Sequence, residues 1–178
     1  QEQWYKRDRP LGGTIIVPFA YESTLSGIGD TGFHNVVWYR KLIRFDDCRP
    51  EGSLVILHFG AVDYEAKVWV NGELAVRHEG GHTPFQANIT RFLRQGDNVI
   101  VVRAVDDGKD VFLPRGKQFW KEKSAGIWYT RTTGIWQPVW LEFVHPIHLD
   151  RVQYTPDIDR NEIGVRIWIT GDVEGKDV

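Results

Sequence analysis

The chain has 178 residues, a length that corresponds to one domain or to one domain with a piece of another. Hydrophobic residues make up 42% of it, enough to bury a substantial core and to argue against disorder. Its net charge is −2, and acidic and basic residues are interspersed, so the sequence lacks the clustered basic residues that bind nucleic acid. No apolar run reaches the roughly 18 residues of a membrane helix. We therefore expect neither nucleic-acid nor membrane partners.

Two features of the composition narrow the class further. Aromatic residues reach 13% and include eight tryptophans, which is typical of carbohydrate-facing or strand-rich proteins. Methionine is absent, even at position 1, which predicts a piece cut from something longer. The single cysteine, Cys48, excludes an internal disulfide and leaves the compartment open, because bacterial periplasm and cytoplasm are both compatible with it.

The first predicted strands follow a two-residue period. Residues 37–45 alternate between apolar and polar side chains, with Lys41 as the exception on the apolar face. Residues 53–59 form a nearly continuous apolar run, which predicts a central strand between two layers. The apolar face of the first strand comprises Val37, Tyr39, Ile43 and Phe45.

The next element is a tight hairpin. Residues 68–70 and 73–76 flank Asn71-Gly72, the pair that best tolerates the positive φ angles of a two-residue turn. A loop with Gly80-Gly81 follows it. This pattern is a strong local signal for an antiparallel pair.

The rest of the chain adds strands and little helix. Residues 98–105 and 138–144 read as strands, and residues 89–94 allow one short helical turn at most. Many short strands with glycine-rich turns predict an all-β sandwich. Two further strands, 148–157 and 162–172, bury too little surface to stand alone, so we place a domain boundary at Pro146.

Five segments in order resemble the N-terminal sugar-binding domain of family 2 glycoside hydrolases, the β-galactosidase and β-glucuronidase group. They are Val17-Pro18-Phe19 with the following Glu22-Ser23 and Leu25-Ser26-Gly27, Val37-Trp38-Tyr39-Arg40, Val68-Trp69-Val70-Asn71-Gly72, His78-Glu79-Gly80-Gly81-His82-Thr83-Pro84-Phe85 and Gly134-Ile135-Trp136-Gln137-Pro138-Val139-Trp140-Leu141-Glu142.

The resemblance implies a jelly-roll β-sandwich, similar to galactose-binding domains, over residues 1–146. Residues 147–178 would then open a truncated immunoglobulin-like sandwich, followed in the parent chain by a TIM barrel that holds both catalytic glutamates. Members of the family usually have an Asn-Gly-x-Trp strand before the loop that corresponds to Val17-Pro18-Phe19, and this sequence has no such segment. We therefore expect the chain to begin inside the domain, with one sheet a strand short or filled differently.

Four residues are candidates for substrate binding, and the resemblance supports two of them, Asp63 and Trp128. The Asp63 position carries a polar residue that reaches the barrel's glycone pocket, and a carboxylate can accept two hydroxyl hydrogen bonds from a sugar diol. Tyr64 stands beside it. The alternative for Asp63 is a cap on its own turn.

The other two candidates follow in the segment before Gly134. Trp128 occupies the position where β-galactosidases and β-glucuronidases carry an Asp at the pocket edge. Its indole would stack on a pyranose or pack in the core. Arg131 would pair with Asp63 or a substrate group, or serve the structure alone.

We predict no hydrolysis by this chain, although its parent would be a retaining β-glycosidase. Retaining hydrolysis needs two carboxyl groups about 5–5.5 Å apart, and no such pair is singled out by the sequence. His78 and His82 have the spacing of a helical metal site, but Gly80-Gly81 between them excludes a helix. We expect no metal and no other cofactor.

Two other functions stay open at this point. One is a free-standing carbohydrate-binding module that holds sugar on exposed tryptophans, and the other is a domain that only packs against other domains. The long loop at residues 109–126 is typical of functional loops and would lie beside the active-site mouth of a parent enzyme.

Overall fold

The computed structural model describes residues 4–6, 12–46 and 49–172, so Cys48 lies outside the described residues. Across those ranges the elements are strands and three short 3-10 turns, and no helix there is long and apolar enough to cross a membrane. The strands are β1 (Val36–Phe45), β2 (Leu54–Phe59), β3 (Val62–Asp63), β4 (Glu65–Val70), β5 (Glu73–Glu79), β6 (Phe85–Asn88), β7 (Gly96–Val105), β8 (Gly134–Ile135), β9 (Val139–Val144), β10 (His148–Asp157) and β11 (Glu162–Thr170).

Two antiparallel sheets enclose the core, which confirms the predicted all-β sandwich. One sheet has the order β1-β7-β4-β5, and the other has the order β6-β2-β9. Their facing side chains form one apolar cluster in which β2 and β4 contribute fully buried residues. Burying this surface is the main favourable contribution to folding.

The strand predictions near the N-terminus are confirmed. Tyr39 and Phe45 of β1 are buried, and Val37 and Ile43 pack against the same core cluster. Lys41 lies on the same face of β1 yet is exposed to solvent. β2 is the central strand of its sheet, as its continuous apolar run predicts.

The predicted hairpin joins β4 to β5. Asn71 has a φ of 51° and Gly72 a φ of 87°, both in the left-handed region that a two-residue turn requires. The register of the pair shifts between Val68 and Trp69, a bulge that the sequence pattern did not predict. The predicted helical turn is also present, as a 3-10 turn at Thr90–Phe92.

After β9, the chain forms a separate two-stranded hairpin of β10 and β11. The side chains of Ile163, Val165 and Ile167 along β11 are exposed. The hydrogen bond from Gln86 Nε2 to Asp150 Oδ1, at 3.5 Å, links this hairpin to the sandwich. The boundary at Pro146 and the identity of the second unit stay predictions.

Candidate functional site

A short strand pair at one end of the sandwich brings the candidate residues together. β3 ends at Asp63 and pairs with β8, so that Asp63 lies opposite Gly134. The peptide bond between Asp63 and Tyr64 is cis. This pairing places the segment that carries Trp128 and Arg131 beside the Asp63 turn.

Asp63 is the centre of a buried hydrogen-bond network. Its side chain is 3% exposed, and its Oδ2 accepts a hydrogen bond from Gln118 Nε2 at 2.9 Å. The same Gln118 side chain accepts, at Oε1, a bond of 2.7 Å from the backbone N–H of Thr132. One amide therefore joins the long loop to both the Asp63 turn and the segment before β8.

Gly81 closes the other side of the Asp63 carboxylate. A Cβ at this position would overlap the carboxylate atoms, so only glycine permits the approach. The Gly81 carbonyl also accepts a hydrogen bond of 2.7 Å from Trp136 Nε1. The glycine pair that follows the hairpin thus has a packing role at the site.

Burial raises the pKa of Asp63 to about 6. The hydrogen bond from Gln118 favours the charged form and opposes this shift, as does nearby His82, whereas the charge of Asp106 adds to it. An Asp in this position changes charge close to neutral pH.

Tyr64 is held through its backbone. Its N–H donates to the Val105 carbonyl at 3.2 Å, and its carbonyl accepts from the Gly80 N–H at 3.1 Å. Its side chain is half-buried. A contact between this ring and a sugar stays a prediction.

Arg131 is buried in this fold, with 4% of its surface exposed, and its guanidinium donates to backbone carbonyls. The acceptors are Thr31, Gly32 at 3.2 Å and Lys121 at 2.9 Å. The guanidinium carbon also lies 3.7 Å from the centre of the Phe33 ring. Arg131 therefore joins residues 31–32 and the long loop at residues 109–126 to the segment before β8.

Two further carboxylates are buried beneath the same segment. The Thr133 hydroxyl donates to Asp106 Oδ2 at 3.0 Å, and the Thr133 N–H donates to Glu22 Oε2 at 3.3 Å. Burial raises the pKa of both carboxyl groups. Sequence analysis missed Thr133 and Gln118, because neither lies in a motif or a periodic pattern.

Trp128 belongs to a cluster at the surface that we call the aromatic cluster. Its ring is half-buried and packs against Phe119 at 6.5 Å and against Trp120 at 5.1 Å between centroids. Trp120 is 46% exposed and Tyr129 is 57% exposed. The aromatic cluster comprises Phe119, Trp120, Trp128 and Tyr129.

The structure separates the four predicted residues into two groups. Asp63 and Arg131 line a cavity of about 10 Å³, room for about one water molecule, whereas Tyr64 and Trp128 are not among its lining residues. A sugar does not fit such a cavity. The aromatic cluster is the part of this region that is open to a ligand of that size.

The histidines of the predicted helical spacing do not form a metal site with other described side chains. Over residues 12–46 and 49–172, no three His, Asp or Glu side chains converge as metal ligands do. His78 instead lies 3.1 Å from the Thr83 hydroxyl and stacks on Phe85.

The family model and the similar proteins that match this chain all point to family 2 glycosyl hydrolases. The family model described as glycosyl hydrolases family 2, sugar binding domain, matches residues 1–132. A β-galactosidase of Thermoanaerobacter pseudethanolicus is 33% identical over 145 residues, which cover 80% of this chain and 18% of that protein. A β-glucuronidase of Rattus norvegicus is 26% identical over 196 residues, which cover 99% of this chain and 30% of that protein.

Solved structures share the fold. The β-glucuronidase of Bifidobacterium dentium, complexed with coumarin-3-O-glucuronide, matches with a TM-score of 0.73 at 19% identity, over 96% of this chain and 33% of that one. A β-glucuronidase of Faecalibacterium prausnitzii matches with a TM-score of 0.67 at 23% identity, over 94% of this chain and 32% of that one. The chain spans about a third or less of the length of these relatives.

Proposed function

The chain belongs to the sugar-binding domain family of family 2 glycosyl hydrolases, and from this we propose that it forms a non-catalytic wall of a glycone pocket. The bond-breaking groups would lie on a TIM barrel further along a parent β-glycosidase, reached through an immunoglobulin-like domain that begins after Pro146. Carbohydrate is then the ligand of the assembled pocket. This chain shapes the rim.

The observation that carries the proposal is the position of the aromatic cluster. Its Trp120 and Tyr129 are exposed and its Trp128 is half-buried, and the residues on either side of the cluster are held by buried contacts of Gln118 and Arg131. Preorganised aromatic side chains bind the apolar face of a pyranose with little loss of conformational freedom. Trp128 is the member at which the resemblance implies a pocket-edge role.

Asp63 contributes to this wall from beneath. A direct hydrogen bond between its carboxylate and a sugar hydroxyl requires the one-water cavity beside it to open, with Gln118 released. In the described geometry we assign Asp63 and Arg131 the role of positioning the loops, and Trp128 the role of contact. Tyr64 links the Asp63 turn to the end of β7 through its backbone bond to Val105.

The buried carboxylates also support a non-catalytic role. Asp63, Asp106 and Glu22 lie beneath the surface with hydrogen-bond donors of the protein on them. A retaining glycosidase needs an acid and a nucleophile that both reach the glycosidic bond. These three buried carboxyl groups do not reach a glycosidic bond at the surface.

The test uses a full-length glycosidase that carries this chain as its N-terminal domain. We expect Trp128→Ala to raise KM for a good chromogenic β-glycoside about tenfold, a loss of about 1.4 kcal/mol of binding. Trp140→Ala is the control, because it removes the same indole from a more exposed tryptophan that stands on the outer face of β9, stacked on His58. An unchanged KM in Trp128→Ala would contradict the proposal.

A free-standing carbohydrate-binding module is the second candidate, and the same exposed aromatic cluster supports it. It differs in one outcome, which is saturable binding of monosaccharides by the isolated chain in calorimetry. Submillimolar dissociation constants would favour the module, whereas the rim proposal expects none, because most of the pocket is then missing.

A further inference from the structure

Three lysines alternate with the aromatic cluster along the chain, and we call them the lysine patch. The lysine patch comprises Lys117, Lys121 and Lys123. Between positions 117 and 129 the only acidic residue is Glu122, so this stretch has a net charge of +2 in a chain whose net charge is −2. Positive charge is therefore concentrated around the aromatic cluster, while the rest of the chain is net acidic.

Backbone hydrogen bonds hold the lysine patch beside the aromatic cluster. The Tyr129 N–H donates to the Lys117 carbonyl at 3.1 Å. The Lys121 carbonyl accepts a bond of 2.9 Å from the Arg131 guanidinium, and Trp120 directly precedes Lys121 in the chain. The backbone positions of two patch lysines are thus set by contacts that also hold the cluster.

The ammonium groups of the lysine patch are available to a ligand. All three lysines are exposed, and within the part of the chain that the structure describes none of them pairs with a carboxylate. The arginines of the same region are used inside the protein, because Arg115 and Arg131 both donate to backbone carbonyls. The exposed positive charge beside the cluster therefore comes from the lysines.

Aromatic faces beside cations define a class of ligand. An indole stacks on the apolar face of a pyranose, and ammonium groups around it attract a carboxylate or a sulfate on the same sugar. Stacking and positive charge together also bind single-stranded nucleic acid. This chain belongs to a sugar-binding domain family and is net negative, so the observations favour an anionic saccharide.

Exposure indicates which part of a substrate meets the lysine patch. Trp128, the member of the cluster with the implied pocket-edge role, is half-buried, whereas Trp120 and the three lysines are exposed. A pocket that encloses the glycone leaves the leaving group to pass over its rim. The exposed residues of the rim therefore face the leaving-group side of the cleaved bond.

We propose that Trp120 and the lysine patch bind an anionic sugar unit on the leaving-group side, a role that rests on the proposed function. The indole stacks on the ring of that unit, and the lysines pair with its charge, which is the carboxylate of a uronic acid or a sulfate ester. The parent glycosidase then prefers acidic oligosaccharides through residues that lie outside the glycone pocket.

The test uses the full-length glycosidase and three disaccharides that share its glycone and differ in the leaving sugar, which is neutral, a uronic acid or O-sulfated. The patch variant combines Lys117→Gln, Lys121→Gln and Lys123→Gln, which remove charge and keep side-chain length. We expect it to lower kcat/KM about five- to tenfold for an acidic disaccharide and less than about twofold for the neutral one. A loss confined to the uronic acid or to the sulfated sugar identifies the anion that the patch binds.

A control variant and added salt make the test specific. The control variant removes the same amount of charge from exposed positions outside the long loop, through Lys41→Gln, Arg77→Gln and Arg160→Gln. It should keep the wild-type kcat/KM for all three disaccharides. In about 1 M salt, which screens exposed charges, the wild type should fall to the level of the patch variant on the acidic disaccharides. Circular dichroism checks that both variants keep their fold.

Three outcomes overturn this proposal. They are equal losses on acidic and neutral disaccharides, equal effects of the patch and control variants, and binding of a single-stranded oligodeoxythymidylate that exceeds binding of the acidic disaccharides and is lost in the patch variant. The last result would assign the patch to nucleic acid. The KM of Trp128→Ala on a neutral glycoside tests the rim role separately, so a raised KM there without a patch effect contradicts only the proposal on the leaving group.

Discussion

At the scale of single residues, the Asp63 carboxylate is buried and hydrogen-bonded within the protein, while its contact with a sugar stays a prediction. Its carboxylate is enclosed by Gln118 and by the backbone at Gly81, where a side chain would not fit. The sequence motif locates the residue correctly but does not show whether its carboxylate points outward or inward. That depends on a glutamine 55 positions away.

The raised pKa of Asp63 predicts a pH dependence of stability. Its folded value of about 6 lies above the ordinary value of 3.8, so the folded state binds the proton more tightly than the unfolded state. This contribution to the free energy of unfolding is therefore largest below pH 4, falls as pH rises from 4 to 6, and is lost above that. A shift of this size corresponds to about 3 kcal/mol.

Asp63→Asn provides the control, because it keeps the shape and cannot ionise, while Glu22 and Asp106 titrate in both proteins. Urea unfolding between pH 4 and 7.5 should show the wild type losing stability relative to the variant as pH rises. Parallel stability curves would show that Asp63 does not carry the effect.

The candidate contact, Trp128, was found from its position and not from a motif of its own. Counting back from Gly134 locates it, but its partners Phe119 and Trp120 lie in the long loop, where no periodicity applies. Sequence patterns report alternation and turns. They do not report which parts of an irregular loop meet.

At the scale of elements, the strands that sequence predicts well are those with several alternating residues. β1 follows such a pattern, β2 is recognised by its continuous apolar run, and the β4–β5 hairpin is recognised by its Asn71-Gly72 turn. The β3–β8 pair escapes prediction because two residues are too few to show a period, although this pair assembles the site. The bulge in β4–β5 is also invisible in the pattern.

The turn residue Asn71 has a second function that alternation does not reveal. Its Nδ2 donates to the Phe92 carbonyl and to Asn98 Oδ1, each at 2.8 Å, and its Oδ1 accepts from the Val99 N–H at 2.9 Å. Asn98 is fully buried. The hairpin is thereby joined to the 3-10 turn and to β7.

We expect Asn71→Ala to lower the free energy of unfolding by about 2–4 kcal/mol, since it adds strain at positive φ to unsatisfied buried groups. Asn161→Ala is the matched control, because Asn161 has a similar φ of 55° but sits exposed in the turn of β10–β11. Its free energy of unfolding should fall by no more than about 1 kcal/mol, because the strain lies outside the core of the sandwich. Equal losses in denaturant unfolding would contradict a network role for Asn71.

At the scale of the whole molecule, the sandwich and the final hairpin differ in how they are stabilised. The sandwich encloses its own core, whereas β10 and β11 pair with each other and expose most of their side chains. Two strands alone bury too little surface to be stable. This contrast supports the proposed boundary at Pro146.

Removal of residues 147–178 tests that boundary. We expect the remaining chain to unfold cooperatively, with a free energy of unfolding within about 1 kcal/mol of the intact chain, because few contacts cross such a boundary. Urea titration followed by circular dichroism provides the measurement. Loss of the cooperative transition would make the hairpin part of the first domain.

The central claim is that this sandwich forms a wall of a sugar pocket without cleaving sugar. The most direct measurement assays the purified 178-residue chain and a full-length glycosidase that contains it side by side on a panel of chromogenic β-glycosides. We predict turnover by the full-length enzyme and a rate equal to the buffer blank for the chain alone. Hydrolysis of any substrate by the chain alone would contradict the account.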